Sequence, residues 1–173
     1  MVNRVFRLCK TLIWLLVAYK WADWRNYKKY YPTLLFMSLG DLLYNFTFYN
    51  FPLWELFDPI LNVTFTTLLF DLITFPASIL LYLSLFPKNN GFKKVTYILK
   101  WIALFTFLEW ITLQFSLVRY SNGWNLWWSI AFNTFMFPAL KIHYDKPLLA
   151  WLFMLIVGSI IAYYFKLPLG SMK

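Results

Sequence analysis

Tyr31-Pro-Thr-Leu-Leu-Phe-Met-Ser38-Leu-Gly-Asp41-Leu-Leu-Tyr44-Asn45-Phe-Thr-Phe48-Tyr-Asn50 is an apolar run with one carboxylate at its middle. A helix needs about 20 mostly apolar residues to cross ~30 Å of hydrocarbon, so this run is long enough to span a bilayer. An ionisable group at that depth costs roughly 2.5–3.5 kcal/mol on insertion scales unless it is paired or hydrated, so Asp41 is expected to face protein and not lipid. At the helical period Ser38, Asp41, Tyr44, Asn45 and Phe48 share one face. That face marks the interior of a bundle, and the carboxylate arrives there with hydroxyl and amide neighbours.

The composition extends this reading to the whole chain. Of the 173 residues 61% are hydrophobic, 24% aromatic and only 13% charged, against about 25% charged in soluble domains. One soluble core could not hide so much apolar surface, which gives an all-α, polytopic transmembrane helix bundle as a single domain, residues 1–173. The net charge of +9 comes from cations clustered between apolar runs, the pattern of membrane topology, and nucleic acid is excluded as a partner. Cys9 and His143 are the sole cysteine and histidine, so no internal disulfide, no metal site built on them and no cofactor is expected. Arg4, Arg7 and Lys10 precede the apolar Thr11 to Tyr19 without small residues at a cleavage position, which reads as an uncleaved anchor.

Six spans are expected, at about 5–22, 32–50, 59–82, 95–118, 124–142 and 148–166. The alternative is five spans with the first segment lying in the membrane plane. Pro76 should kink the third span and free a carbonyl that a hydroxyl or water must satisfy. Phe51 to Pro59 and Arg119 to Trp124 read as interfacial turns, with Asn122-Gly123 able to supply positive φ. Lys20, Arg25, Lys28, Lys29, Lys88, Lys93, Lys94, Lys100, Lys141 and Lys146, ten of the 16 basic residues, follow the odd-numbered spans. Loops 23–31, 83–94 and 141–147 are therefore expected on the cytoplasmic side, with the C-terminus outside.

The run KWADWRNYKKYYPTLLFMSLGDLLYNFTFYNFPLWE, with FLEW, NGWNLWWSIAFNTFMFPALKIHY and KPLLAW further on, resembles a family of small multi-spanning membrane proteins from Bacillus and related spore-forming bacteria. The likeness covers almost the whole chain. It implies a bacterial cytoplasmic-membrane location, and because that family has no assigned activity it lends no catalytic residue to any position.

The candidate ligand-binding residues come from polar stripes on four successive helices: Asp41, Tyr44 and Asn45; Asp71 among Thr64, Thr67, Thr74 and Ser78; Glu109 with Trp110; and Asn125 and Asn133. One reading is a polar, aromatic-lined cavity that binds a small or lipid-like molecule for transport or sensing. The other is interhelical hydrogen bonding, worth about 0.6 kcal/mol per contact, for which Asp71 has threonines at hand. Trp110, Trp124, Trp127 and Trp128 suit either a pocket or an interfacial belt. His143 reads as an interfacial surface histidine. Expected partners are membrane lipid, a small-molecule or lipid ligand, and a membrane-protein partner or second copy. Two further function classes stand beside ligand binding: a structural subunit of a membrane complex, and an acid-catalysed intramembrane enzyme such as an isoprenoid cyclase. No Ser-His-Asp set, HExxH or phosphate-cradling glycine loop points to other enzyme chemistry.

Overall fold

The computed structural model describes residues 2–57, 62–88, 90–168 and 170, with residues 2–10 by backbone alone. Among them the chain is helical apart from one short ribbon. α1 (Val2–Trp21) leads through a 3-10 turn (Trp24–Asn26) into α2 (Tyr27–Thr47), which is followed by β1 (Trp54–Leu56). α3 (Val63–Leu69), a π-helical turn (Phe70–Thr74) and α4 (Phe75–Ser84) form one rod, and α5 (Gly91–Gln114), β2 (Val118–Tyr120), α6 (Leu126–Asp145) and α7 (Pro147–Tyr164) complete the order.

Local chemistry sets most of these boundaries. Asn90 and Asn125 cap α5 and α6, their side chains accepting from the backbone N–H of Lys93 and of Trp127 and Trp128 respectively. Pro147 opens α7, where its missing N–H has no partner to lose. α5 stops at Gln114, short of the expected 118. Ser116 takes a left-handed φ of 52° and the Leu117 N–H turns back to the Thr112 carbonyl at 2.9 Å, which frees Val118 for a strand.

Among the described residues three helices are long and apolar enough to cross a membrane: Val63–Ser84, Gly91–Gln114 and Pro147–Tyr164, with mean hydropathies of 1.7, 1.3 and 1.9. The six expected spans therefore reduce to three on that criterion. α2 and α6 are of similar length, 21 and 20 residues, but polar residues such as Asp41, Asn45, Ser129 and Asn133 dilute their apolar content. α1 contributes the apolar stretch Thr11–Trp21. Residues 59–61 of the third expected span lie outside the described residues.

The π-turn in the α3 to α4 rod lies immediately before Pro76. In the π-turn the Phe75 N–H bonds to the carbonyl of Phe70, five residues back. The Asp71 carbonyl would next accept from residue 76, which is proline and has no N–H. Ser38 Oγ donates to it instead, at 2.8 Å. A hydroxyl does satisfy a freed carbonyl, and it comes from α2.

α4 packs against α1 and α2, and α6 packs against α2, α5 and α7. Two aromatic cores result. The larger gathers Tyr82, Trp101, Phe137 and Leu140, with Trp14 of α1 stacked on Trp101 at 5.9 Å. The smaller gathers Phe48, Leu53, Trp124, Phe165 and Leu167. Beside the smaller core β1 and β2 pair antiparallel, Trp54 opposite Tyr120, Glu55 opposite Arg119 and Leu56 opposite Val118. The sequence reading has turns over Trp54–Leu56 and over Arg119 and Tyr120, and ends the fourth span at Val118. Asn122 and Gly123 do adopt positive φ, 50° and 86°.

Candidate functional site

A cavity of about 150 Å³ lies between the two aromatic cores, walled by α1, α2, the α3 to α4 rod, α5, α6 and the ribbon. Its polar wall combines Asp41 and Asn45 from α2, Thr67, Thr74 and Ser78, Glu109 and Thr112 from α5, and Ser129 and Asn133 from α6. Its aromatic wall consists of Trp14, Trp54, Phe70, Phe75, Phe105, Trp124 and Phe132. Among the described residues two carboxyls line it, and no lysine, arginine or histidine does.

The Glu109 carboxyl is held by a compact network. Its Oε1 accepts from the Tyr120 hydroxyl at 2.7 Å and from Ser129 Oγ at 2.7 Å. Ser129 Oγ in turn accepts from the Trp124 indole N–H at 2.9 Å. Three elements, α5, β2 and α6, thus converge on one oxygen. Tyr120 lies in the ribbon, outside the helices, and burial raises its phenol pKa above the ordinary value of 10.0.

Asp41 is arranged differently. Its Oδ2 accepts from Asn45 Nδ2 at 2.9 Å, and the same amide reaches the Asp41 carbonyl at 2.8 Å. Asp71 stands next to it with 0% exposure. Neither Asp71 oxygen meets a hydrogen-bond donor among the described residues, and the Asp41 carboxyl is its ionisable neighbour. Two carboxyls can hydrogen-bond only when one carries a proton, so the pair is a place to hold one. The threonines do not serve Asp71 as the sequence reading has it. The π-turn places its side chain toward α2, and Thr66 Oγ1 is itself buried without a partner among the described residues.

Of the residues expected in a site, the structure brings Asp41, Asn45, Glu109 and Asn133 to the cavity wall and puts Asp71 against Asp41. Tyr44 stands behind Trp54 and lines a neighbouring groove instead. Trp110 is 46% exposed and lies against Phe107 on the outer surface of α5. Asn125 is an exposed helix cap, its side chain spent on backbone N–H groups. His143 is also placed differently from its expected interfacial surface position. It is 4% exposed, bonded through Nδ1 to Thr33 Oγ1 at 3.0 Å and stacked on Phe36 at 4.2 Å.

Ser129, Tyr120, Trp54, Trp14 and Phe132 belong to the site and are absent from the sequence candidates. Ser129 carries a readable signal, four residues before Asn133 on the same stripe. Trp54 and Tyr120 carry none, because only the ribbon brings Trp54 to the cavity wall and Tyr120 to the Glu109 carboxyl. No protein family, curated protein or solved structure matches the chain in the three comparisons, and the site's chemistry is read from its own geometry.

Proposed function

We propose that this protein is a multi-pass membrane protein that binds a small or lipid-like ligand in the polar, aromatic-lined cavity, in the service of transport or sensing. The observation that carries the reading is the convergence of Asp41, Asn45, Glu109 and Asn133, from three helices, on the wall of one cavity of about 150 Å³. Interhelical bonding alone needs no such space, and a void of this size holds a molecule of about benzene's volume. The proposal places the chain in a bacterial cytoplasmic membrane, with six spans and the C-terminus outside. Its support is the clustering of cations after the odd-numbered spans and the resemblance to the Bacillus membrane family.

Native mass spectrometry of the gently solubilised protein tests the reading. A defined small molecule or lipid should be retained by the wild type and lost from Asp41→Asn, Glu109→Gln and Asn133→Leu. Equal occupancy in all four proteins overturns it. A second reading, acid catalysis on an unsaturated hydrocarbon, is favoured by the proton-holding Asp41–Asp71 pair beside aromatic rings able to stabilise a cation. Turnover of an isoprenoid substrate that Asp41→Asn abolishes would select it.

A further inference from the structure

We infer that the ligand is a single-chain amphiphile with an ammonium head, its head in the acidic cavity and its chain in an apolar groove between α2, α6 and α7. The inference rests on the binding reading above and adds the chemical class. The groove has a volume of about 440 Å³, and Met37, Asp41, Trp54, Phe132 and Met136 line both it and the cavity. Across that shared wall the chemistry changes from carboxyl, amide and hydroxyl to aliphatic carbon.

Charge chooses the head. Carboxyls line the cavity, and among the described residues no lysine, arginine or histidine lines either space, so an anionic head meets no counter-charge among them. An ammonium would meet Asp41, Glu109 and the faces of Trp54, Trp124 and Phe132. Asn133, 5% exposed, also lines the cavity, and its amide oxygen can accept from an ammonium donor.

Space chooses the chain. Gly158 of α7 lines the groove, and a Cβ placed there would meet nothing within 4 Å. The site has room for a Cβ, so a leucine there starts without a clash beside the groove. Apolar chain in such a groove leaves water in proportion to its length, which is the expected source of tight binding.

The test uses the full chain in phosphatidylcholine nanodiscs and four probes: decylammonium, decanol, decanesulfonate and propylammonium. Binding is read by tryptophan quenching and by native mass spectrometry. Decylammonium should bind saturably, about tenfold or more tighter than decanol or decanesulfonate and tighter than propylammonium. Asp41→Asn combined with Glu109→Gln should erase the preference for the ammonium head. Gly158→Leu should weaken decylammonium about tenfold while leaving propylammonium unchanged. Equal binding of decanesulfonate, or a Gly158→Leu protein indistinguishable from wild type, overturns the inference. If propylammonium still binds and is lost in Asp41→Asn, the cavity reading survives that result. If no probe binds and the carboxyl variants change nothing, both fall. Because all variants share one bilayer, partition of the probes into lipid cancels from every variant comparison.

Discussion

Tyr44 lies flat on Trp54, ring centroids 3.7 Å apart and planes 2° from parallel. Its hydroxyl accepts from the backbone N–H of Leu53 at 2.9 Å and of Trp54 at 2.8 Å, and donates to the Trp54 carbonyl at 2.8 Å. A single side chain of α2 therefore fixes both the ring and the backbone of β1, and through β1 the part of the cavity wall that Trp54 forms.

Tyr44→Phe keeps the stacked ring and removes all three hydrogen bonds. Leaving those backbone groups unpaired should cost about 1–3 kcal/mol, seen as a lower melting temperature in detergent. Near-UV circular dichroism should retain the signature of the stacked pair. A melting temperature equal to wild type would show that the phenol does not anchor the ribbon.

Ser38 and Pro76 should be thermodynamically coupled. Ser38→Ala orphans the Asp71 carbonyl and should cost about 1–3 kcal/mol. With Pro76→Ala in the background, residue 76 regains an N–H, and the same substitution should cost clearly less. Additive losses in this double-mutant cycle would separate the two residues.

Asp71→Asn should stabilise the protein at neutral pH. The new amide preserves the shape of the side chain and gives the Asp41 carboxyl a permanent donor, where a proton was needed before. The gain expected is about 1 kcal/mol, the value of one hydrogen bond. A thermal shift downward would mean that Asp71 already has a partner of its own, such as a bound cation or water.

Tyr120 gives a prediction at alkaline pH. Its folded pKa is raised by burial, so the folded state holds the phenolic proton more tightly than the unfolded chain does. The resulting stability is complete below the ordinary value of 10.0 and declines as pH rises beyond it, because only the unfolded state then gains by ionising. Comparing wild type with Tyr120→Phe at pH values on either side of 10.0 should give a wild-type melting temperature that falls more steeply. Parallel curves would count against the buried position of the hydroxyl.

The legible parts of this molecule are those whose cause is local. Pro76 announces both the break in its helix and the need for a hydroxyl donor, because a proline lacks an N–H wherever it occurs. Asn122-Gly123 announces positive φ for the same reason, and the stripe through Asp41 and Asn45 identifies an inward face. What was not legible depends on distant partners. Trp54–Leu56 is too short to show a period of two, and its partner Val118–Tyr120 lies beyond two long helices. Asn125 and Asn133 look alike on the stripe, yet α6 begins at Leu126 and not at 124, which makes the first a cap, while the second lies well inside the helix. Trp110 sits beside Glu109 in sequence, and at 100° per residue adjacent side chains point apart.

The ribbon imposes an order on synthesis. β1 emerges from the ribosome before α3, α4 and α5, and β2 only after them, so Trp54 must wait for Tyr120 before its strand has anything to pair with. Until then the carboxyl-bearing helices α2 and α5 stand without the cover that Trp54, Leu56 and Val118 provide. A nascent chain carrying only the first four helices lacks Glu109, Val118, Trp124, Ser129, Phe132 and Asn133, so the cavity wall is completed only with the last third of the polypeptide.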